Sequence, residues 1–260
     1  MNYKKEVAAQ VLQLVKKRRM QLPREGGRKL HRALLSDFQS INIRIGRDKL
    51  FDILRKNNLL VRPKKRYIRT TNSRHRFKKY PNLIKQMTII NPNNVWVSDI
   101  TYLKLIKGHC YLALITDAFS RKIVGYDISN TLELEGCLRA LKRALGQLPP
   151  GQDLVHHSDR GVQYCSYEYV NLLEKNKIRI SMTEQNHCYE NAIAERLNGI
   201  LKDEFYLDQC FKSSKEAMDA CKCAIMLYNK QRLHLSLEYK TPEMVHKNAI
   251  KNNVQPVDVF

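Results

Sequence analysis

The sequence predicts an α/β fold, in which a mixed sheet carries helices on its faces and a small helical domain precedes it. Two observations predict this fold class. From residue 91 onward, apolar segments with strand and helix character follow one another in the order β-β-β-α-β-α-β-α, which is typical of a mixed sheet. Before residue 60, three short segments instead space their apolar residues as helices do.

The charge of the chain is concentrated in its first third. The 260 residues contain 46 Lys and Arg against 25 Asp and Glu, a formal net charge of +21. Residues 1–90 hold 25 basic and 5 acidic residues, a net charge of +20, and the rest of the chain is nearly neutral. With 43% hydrophobic residues the chain can bury a core, which excludes a disordered polycation. A basic front indicates a polyanionic partner, nucleic acid first and an anionic membrane surface second.

Residues 1–60 are predicted to form a helical domain of the helix-turn-helix kind. Apolar residues recur at helical spacing in residues 7–15, 28–38 and 47–57, and Pro23 and Gly46 mark breaks between them. Basic outer faces on three short helices fit a DNA-binding domain. The alternative is a small helical cap that packs on the main domain.

Residues 61–90 are predicted to be a basic linker. Ten Lys and Arg residues and no Asp or Glu lie in residues 61–85. Because such a run would repel itself, we expect it to lie along a nucleic-acid backbone; the alternative is a solvated face. The predicted DNA contacts in this linker are Lys64, Lys65, Arg66, Arg69, Arg74, Arg76, Lys78 and Lys79.

Residues 91–210 are predicted to form the sheet domain, and residues 211–260 a C-terminal helical extension that begins with a helix over 215–230. The strand segments are rich in β-branched and aromatic residues, and turn residues separate them. The predicted strands are residues 95–106, 110–116, 122–128, 153–157 and 177–182, and the predicted helices are residues 132–148, 167–176 and about 189–206.

Neither a membrane span nor a disulfide scaffold is predicted. The longest apolar runs are far too short to cross a bilayer, and the first residues lead into an amphipathic pattern instead of a signal sequence. The seven scattered Cys residues form no Cys-x-x-Cys pair, so we expect free thiols in a reducing cytoplasm.

Two aspartates are placed where a catalytic site could form. Asp99 interrupts the apolar first strand, where a lone carboxylate is costly unless it is paired or bound to a metal. Asp159 directly follows the fourth strand, at the edge where α/β folds place ligand groups. Alternatively, Asp159 caps the next turn, with Gly161 supplying backbone freedom.

A third acidic residue, Glu195, lies inside the long predicted helix. At helical spacing it shares one face with Asn191, Asn198 and Lys202. A solvent-exposed face is the ordinary explanation of such a pattern. Periodicity also does not select Glu195 from the other acidic residues nearby, which are Glu184, Glu190, Asp203 and Glu204.

Together the three carboxylates indicate a specific chemistry. Groups from a central strand, an adjacent strand end and a flanking helix can meet at one edge of a sheet. There they would hold two hard cations, which prefer oxygen ligands. Such a pair of ions stabilises the attacking and leaving oxygens of an in-line phosphoryl displacement.

The blocks around these acids resemble the signature blocks of bacterial insertion-sequence transposases. The blocks are residues 96–102 (WVSDITY), 157–164 (HSDRGVQY) and 191–195 (NAIAE), and 35 residues separate Asp159 from Glu195. Residues 117–125 (DAFSRKIVG) and the tail from Tyr228 to Pro242 also look typical. Across about residues 20–245 the chain is similar to the second-frame product of the IS-three family, whose core is related to retroviral integrases.

The resemblance implies an RNase H-like integrase core with Asp99, Asp159 and Glu195 as the catalytic triad. It implies that these residues bind two Mg²⁺ or Mn²⁺ ions, and that the enzyme cleaves DNA at an element end and transfers the strand with a DNA 3′-OH as nucleophile. Lys202 and Arg160 are expected to contact this DNA. The sequence departs from the family pattern at Glu190, Arg196 and Leu233, none of which is a proposed ligand.

The resemblance also implies partners. They are the terminal inverted repeats of the element, target DNA, further copies of this chain on DNA, and an upstream-frame helix-turn-helix and zipper protein that is fused to or associated with it. The expected location is the bacterial cytoplasm, on the nucleoid, without a membrane partner. Two other functions stay open: an RNase H-like nuclease without strand transfer, and a DNA-binding regulator with an inactive core.

Overall fold

A computed structural model of the chain describes residues 2–61, 76–184 and 191–253, and its centre is a six-stranded sheet. Among these residues, no helix combines the length and the apolar character that a membrane crossing needs. The strands are β1 (Val95–Leu105), β2 (His109–Asp117), β3 (Ile123–Ser129), β4 (Val155–Ser158), β5 (Arg179–Met182) and β6 (Cys210–Phe211). The α-helices are α1 (Asn2–Gln21), α2 (Gly27–Ala33), α3 (Leu35–Ser40), α4 (Arg47–Lys56), α5 (Leu134–Leu145), α6 (Val162–Cys165), α7 (Tyr167–Lys175), α8 (Ala192–Glu204), α9 (Ser214–Lys230) and α10 (Pro242–Asn253), and a 3-10 helix spans Leu235–Leu237.

The strand order is β3-β2-β1-β4-β5, with β6 beside the end of β1. The first three strands are antiparallel, whereas β4 and β5 run parallel to β1. The prediction of a mixed-sheet α/β fold is therefore confirmed. Because β1 lies at the centre of the sheet, both of its faces are covered, which explains the apolar residues on both sides of Asp99.

Helices cover the two faces of the sheet. Trp96 of β1 packs in one buried cluster with residues of α5 and α7. Leu103 of β1 packs in a second cluster, on the side of α8 and α9. Since side chains alternate along a strand, Asp99 lies on the Leu103 face, the one that α8 covers.

The helical domain has a core of its own, in which Leu30, Phe38 and Leu50 are buried together. The helix predicted over residues 28–38 is divided into α2 and α3, because the backbone turns at Leu34 and so brings both Leu30 and Phe38 into that core. Helix α1 is much longer than the predicted 7–15. Lys and Arg are good helix formers, and basic residues near a helix C-terminus interact favourably with its dipole.

Only part of the predicted linker lies in the described residues. Its last segment packs on the sheet domain, because the N–H of Leu83 donates to Ser181 Oγ at 2.9 Å and Pro81 O accepts the N–H of Met182 at 3.2 Å. The domain boundaries at residues 60, 90 and 210 stay predictions. Arg76, Lys78 and Lys79 are exposed, while Lys64, Lys65, Arg66, Arg69 and Arg74 lie outside the described residues.

The C-terminal extension contacts the β2–β3 hairpin through its side chains. Asn229 hydrogen-bonds both the backbone N–H and the carbonyl of Ile123, at 2.9 and 3.0 Å. The Tyr228 hydroxyl donates to the carbonyl of Arg121 at 3.0 Å. The two segments whose sequences look typical of the transposase family, 117–125 and the tail from Tyr228, therefore meet in the fold.

Candidate active site

Asp99 lies in the middle of β1, between the residues that pair with β4 and those that pair with β6. On one edge of β1, β4 pairs with its beginning and β6 with its end, while on the other edge Asp99 is opposite Leu114 of β2. The half-buried carboxylate of Asp99 accepts the N–H of Ile100 at 2.9 Å and the side-chain amide of Asn198 at 2.6 Å. Between the β4 and β6 pairings, side chains from other elements can approach Asp99.

Asp159 follows β4, the strand beside β1, as predicted. One of its carboxylate oxygens accepts the N–H of Gly161 at 2.9 Å, so Asp159 does cap the next turn. The reason for glycine differs from the one expected. Gly161 has φ −67°, which any residue adopts, but a Cβ there would lie 2.9 Å from the Asp159 oxygen. A side chain at this position would therefore crowd the Asp159 carboxylate, whereas the backbone needs no special freedom.

Glu195 lies in the first turn of α8 and is exposed. The helix face that it shares with three other polar residues is turned toward β1. Asn191 donates to the carbonyl of Ser98 at 3.1 Å, Asn198 donates to Asp99, and Lys202 Nζ lies 4.4 Å from the centre of the Tyr102 ring. These contacts place Asn191 and Asn198 against β1, so the stripe as a whole does not face solvent, whereas Glu195 itself is exposed on the side of the sheet that carries Asp99.

The electrostatics of Asp99 reflect its neighbours. Burial and the negative charge of Asp159 raise the pKa of Asp99 to about 7, and Glu195 adds a smaller effect in the same direction. The hydrogen bonds from Ile100 and Asn198 favour the ionised form and act against this rise. Burial also raises the pKa of Glu195. The negative charge of Asp159 therefore acts on Asp99 more than that of Glu195 does.

The three carboxylates are not gathered into a closed ligand set. In the described part of the chain, no group of three or more His, Cys, Asp or Glu side chains is arranged to hold a metal ion. Asp99 and Asp159 are the two that the fold brings together. Glu195 follows closely after residues 185–190, which lie outside the description. Metal binding by the triad therefore stays a prediction.

The predicted DNA contacts differ in their surroundings. Arg160 is half-buried directly after Asp159. Lys202 lies over Tyr102 in a cation–π contact, and Lys78 lies 4.9 Å from the centre of the Tyr80 ring. Basic side chains therefore flank the carboxylates, and their contact with DNA stays a prediction.

A buried polar network behind Asp99 was not predicted from the sequence. Ser98 Oγ and the Tyr169 hydroxyl both hydrogen-bond to Nε2 of His156, at 2.7 and 3.0 Å. Burial lowers the pKa of His156 to about 3, so its imidazole is neutral at physiological pH. The network ties β1 to β4 and α7 beside the two aspartates. Its trace in the sequence is the pair of histidines, His156 and His157, in the fourth strand.

Comparison with known proteins identifies the family of this site. Residues 91–188 and residues 176–242 each match a family described as integrase core domain. A 31 kDa protein of insertion element IS600 from Shigella sonnei is 36% identical over 213 residues, which cover 81% of this chain and 78% of that protein. The transposase for insertion sequence element IS904 from Lactococcus lactis is 34% identical over 186 residues, 67% of this chain and 74% of that protein. The transposase for insertion sequence element IS629 from Shigella sonnei is 32% identical over 224 residues, 85% and 73% of the two chains.

A solved structure shares the fold. A chain of the simian T-cell lymphotropic virus intasome, determined by cryo-electron microscopy in complex with PP2A regulatory subunit B56 gamma, is 18% identical and has a TM-score of 0.52. The likeness covers 95% of this chain and 76% of that chain. The expected RNase H-like integrase core is therefore confirmed. The transposase for insertion sequence IS3A from Escherichia coli is 32% identical over 187 residues, 70% of this chain and 64% of that protein. The chain belongs to the IS-three family of insertion-sequence transposases, enzymes whose integrase core carries out polynucleotidyl transfer.

Proposed function

We propose that the chain catalyses metal-dependent DNA cleavage and strand transfer during transposition of an insertion sequence. The observation that carries the proposal is the meeting of Asp99 and Asp159 at neighbouring strands, where burial and the negative charge of Asp159 together raise the pKa of Asp99 to about 7. Glu195 would join them from a helix whose Asn198 is hydrogen-bonded to Asp99. Membership of a transposase family supports DNA as the substrate.

The residues at this edge suit a divalent cation. Two carboxylates that repel each other and are partly removed from water favour protonation of Asp99, and an added positive charge removes that penalty. Carboxylate oxygens are also the ligands that Mg²⁺ and Mn²⁺ prefer. Asp99 and Asp159 would hold two such ions with Glu195 as a further ligand, and the bound ions supply Lewis-acid activation of phosphate and water.

The reaction needs two displacements at phosphorus. In the first, water attacks a phosphodiester at the element end, the P–O3′ bond breaks, and the element strand keeps a 3′-OH. In the second, this 3′-OH attacks a target phosphodiester, a new P–O bond forms, and the P–O3′ bond of the target breaks. Since no step joins DNA to the protein, the mechanism requires no nucleophilic Ser, Tyr or Cys.

Basic side chains would hold the DNA at this site. Lys202 lies two helical turns from Glu195 on the same face of α8, so its ammonium group would bind a phosphate beside the carboxylates. Arg160 would do so from the strand end next to Asp159. The exposed Lys78 and Lys79, with the other basic residues of 61–85, would bind the backbone of the same DNA.

We further propose that several partners assemble around this activity. The DNA partners are the terminal inverted repeats of the element and a target duplex. An oligomer of this chain would let one copy hold each element end. An upstream-frame helix-turn-helix and zipper protein, fused or associated, would add end recognition. The site of action would be the nucleoid in the bacterial cytoplasm.

A pair of duplex oligonucleotides tests the proposal. Both carry the inverted repeat that flanks the gene, already cut at the element end, and one of them lacks the terminal 3′-OH. With Mg²⁺ and a target duplex, we expect joined strands on a denaturing gel only when the 3′-OH is present. Hydrolysis without joined strands would instead support the nuclease, and DNA binding without any cleavage would support the inactive regulator.

A further inference from the structure

Ion pairs connect the helical domain to the C-terminal end of α8. Glu204, the last residue of α8, accepts hydrogen bonds from Lys29 of α2, whose Nζ lies 3.0 Å from each carboxylate oxygen. The same carboxylate accepts two bonds from Arg232, which follows α9, at 2.7 and 2.8 Å. Beside them, Arg24 of the helical domain pairs with Asp203 of α8.

These charges are largely withdrawn from water. The side chains of Lys29 and Arg232 are 9% and 5% exposed, and that of Glu204 is 18% exposed. Burial alone would raise the pKa of Glu204, but the hydrogen bonds and charges of Arg232 and Lys29 lower it below its ordinary value. Glu204 is therefore ionised at neutral pH. Buried ion pairs contribute little net stability, but moving one partner away leaves the other charge buried and unpaired, which is strongly destabilising.

Helix α8 also carries the candidate catalytic carboxylate. Glu195 is in its first turn and Glu204 is its last residue, about 13 Å apart along the helix axis. The middle of α8 is fixed to the central strand by the bond from Asn198 to Asp99. One rigid helix therefore connects the attachment of the helical domain with the carboxylate site.

We propose that Arg24, Lys29, Asp203, Glu204 and Arg232 form a clasp, an intramolecular docking surface that holds the helical domain in one register on α8 and so guides the DNA bound by that domain to the carboxylates. The clasp rests on the proposed function for the identity of this DNA. Asp203 and Glu204 are positioning residues, since they act through the placement of a domain. The helical domain and α8 bind each other through complementary charges.

The Arg24–Asp203 pair offers the sharpest test, because its reversal removes none of the hydrogen bonds that Glu204 accepts from Lys29 and Arg232. The full-length variants are Arg24→Asp, Asp203→Arg and the double reversal. Arg28→Asp, an exposed site in the same domain, is the control for the loss of positive charge. Hydrogen exchange reports docking through the amides of α2, with the amides of β1 as reference, and the joining assay reports function.

Each single reversal should speed exchange in α2 by about tenfold or more without changing β1, because the docked state becomes less populated. Each should also lower the rate of strand joining by about tenfold while the affinity for the duplex changes no more than in Arg28→Asp. The double reversal should restore both readouts. Recovery excludes misfolding as the cause.

Two results would refute the proposed role of the clasp. One is unchanged exchange in α2 in both single variants, and the other is a loss of joining that the double reversal does not restore. The exchange measurement needs no DNA. A wild-type chain that joins no strands would therefore refute the proposed function, while the exchange data would still decide whether the domain is held by this pair.

Discussion

Nδ2 of Asn198 lies 2.6 Å from Oδ2 of Asp99, so a residue of helix α8 holds the carboxylate of the central strand. The bond favours the ionised form of Asp99 and opposes the upward effects of burial and of Asp159 on its pKa. Asn198 is three residues after Glu195, and residues at this spacing share a helix face. The same bond therefore orients Asp99 and joins it to the face of α8 that meets the sheet.

Replacing Asn198 by Ala should weaken metal use. Without the amide donor the pKa of Asp99 rises further, so a cation must displace a proton more often at neutral pH. We expect the Mg²⁺ concentration for half-maximal joining to rise by roughly 10- to 100-fold, with partial recovery at higher pH. A Mg²⁺ titration of joining at pH 7 and pH 8.5 measures this. Asn176→Ala, which removes an exposed amide directly after α7, is the control, and equal Mg²⁺ requirements in the two variants would exclude the role of Asn198.

The metal-free protein should lose stability as the pH rises, because of Asp99. The folded state raises the pKa of this group from 3.8 to about 7, so it binds the proton more tightly than the unfolded chain does. The resulting stabilisation is complete below pH 4 and is lost as the pH rises through about 7. At pH 8, Asp99→Asn should therefore unfold with a free energy greater than that of the wild type by about 1 to 3 kcal/mol, since one pKa unit corresponds to about 1.4 kcal/mol and solvent screening reduces the full value.

Urea unfolding in EDTA at pH 5.5 and pH 8 measures this difference. Asp153→Asn, at an exposed carboxylate, controls for the change in net charge. If the difference in unfolding free energy between Asp99→Asn and the wild type does not increase with pH, then Asp99 titrates normally. Adding Mg²⁺ at pH 8 should stabilise the wild type and leave Asp99→Asn nearly unchanged.

Asn229→Ala should destabilise the chain by about 2 to 4 kcal/mol, because it leaves both the N–H and the carbonyl of Ile123 without their side-chain partner. These bonds hold α9 against the start of β3. Thermal unfolding followed by circular dichroism measures the loss. Asn176→Ala removes one exposed bond to the Leu172 carbonyl and should cost less than about 1 kcal/mol. Similar losses in the two variants would mean that the Asn229 contact is unimportant.

Gly125 is the point where β3 approaches α5 most closely. A Cβ added there would clash with the carbonyl of Ala140 and lie 2.8 Å from the Cβ of Ala144. Gly125→Ala should therefore push α5 from the sheet and cost about 1 to 3 kcal/mol of unfolding free energy. At Gly146 the nearest atoms would be 3.6 Å away, so Gly146→Ala should be tolerated. An unfolding midpoint in Gly125→Ala as high as in Gly146→Ala would contradict this packing.

The sequence predicts local structure well where a periodic pattern determines it. The run of strands from β1 to β3 and the helix α5 are found close to their expected positions, because alternating and helical apolar spacing report burial directly. The break at Leu34 and the extension of α1 were missed. The break depends on how the short helices pack on one another, and the extension depends on charge at the helix end. Apolar spacing records neither of these effects.

The sequence predicts some parts of the candidate site and not others. Asp99 could be singled out as a carboxylate in an apolar strand, whereas periodicity could not choose Glu195 from its acidic neighbours, and the family pattern was needed. The pairing of Asn198 with Asp99 joins residues far apart in the chain, as does that of Glu204 with Lys29. Local patterns cannot specify such contacts, because they follow from the sheet order and from the packing of α8.

The yield of joined strands from three matched variants tests the central claim most directly. Asp99→Asn, Asp159→Asn and Glu195→Gln each keep the shape of the side chain and remove one negative charge. Glu168→Gln, an exposed carboxylate in the first turn of α7, is the control. With a pre-cut element end and Mg²⁺, each of the three should lose at least about 100-fold in joined product while Glu168→Gln retains it. If any of the three, correctly folded, joins strands as well as Glu168→Gln does, then that residue is not part of the catalytic centre.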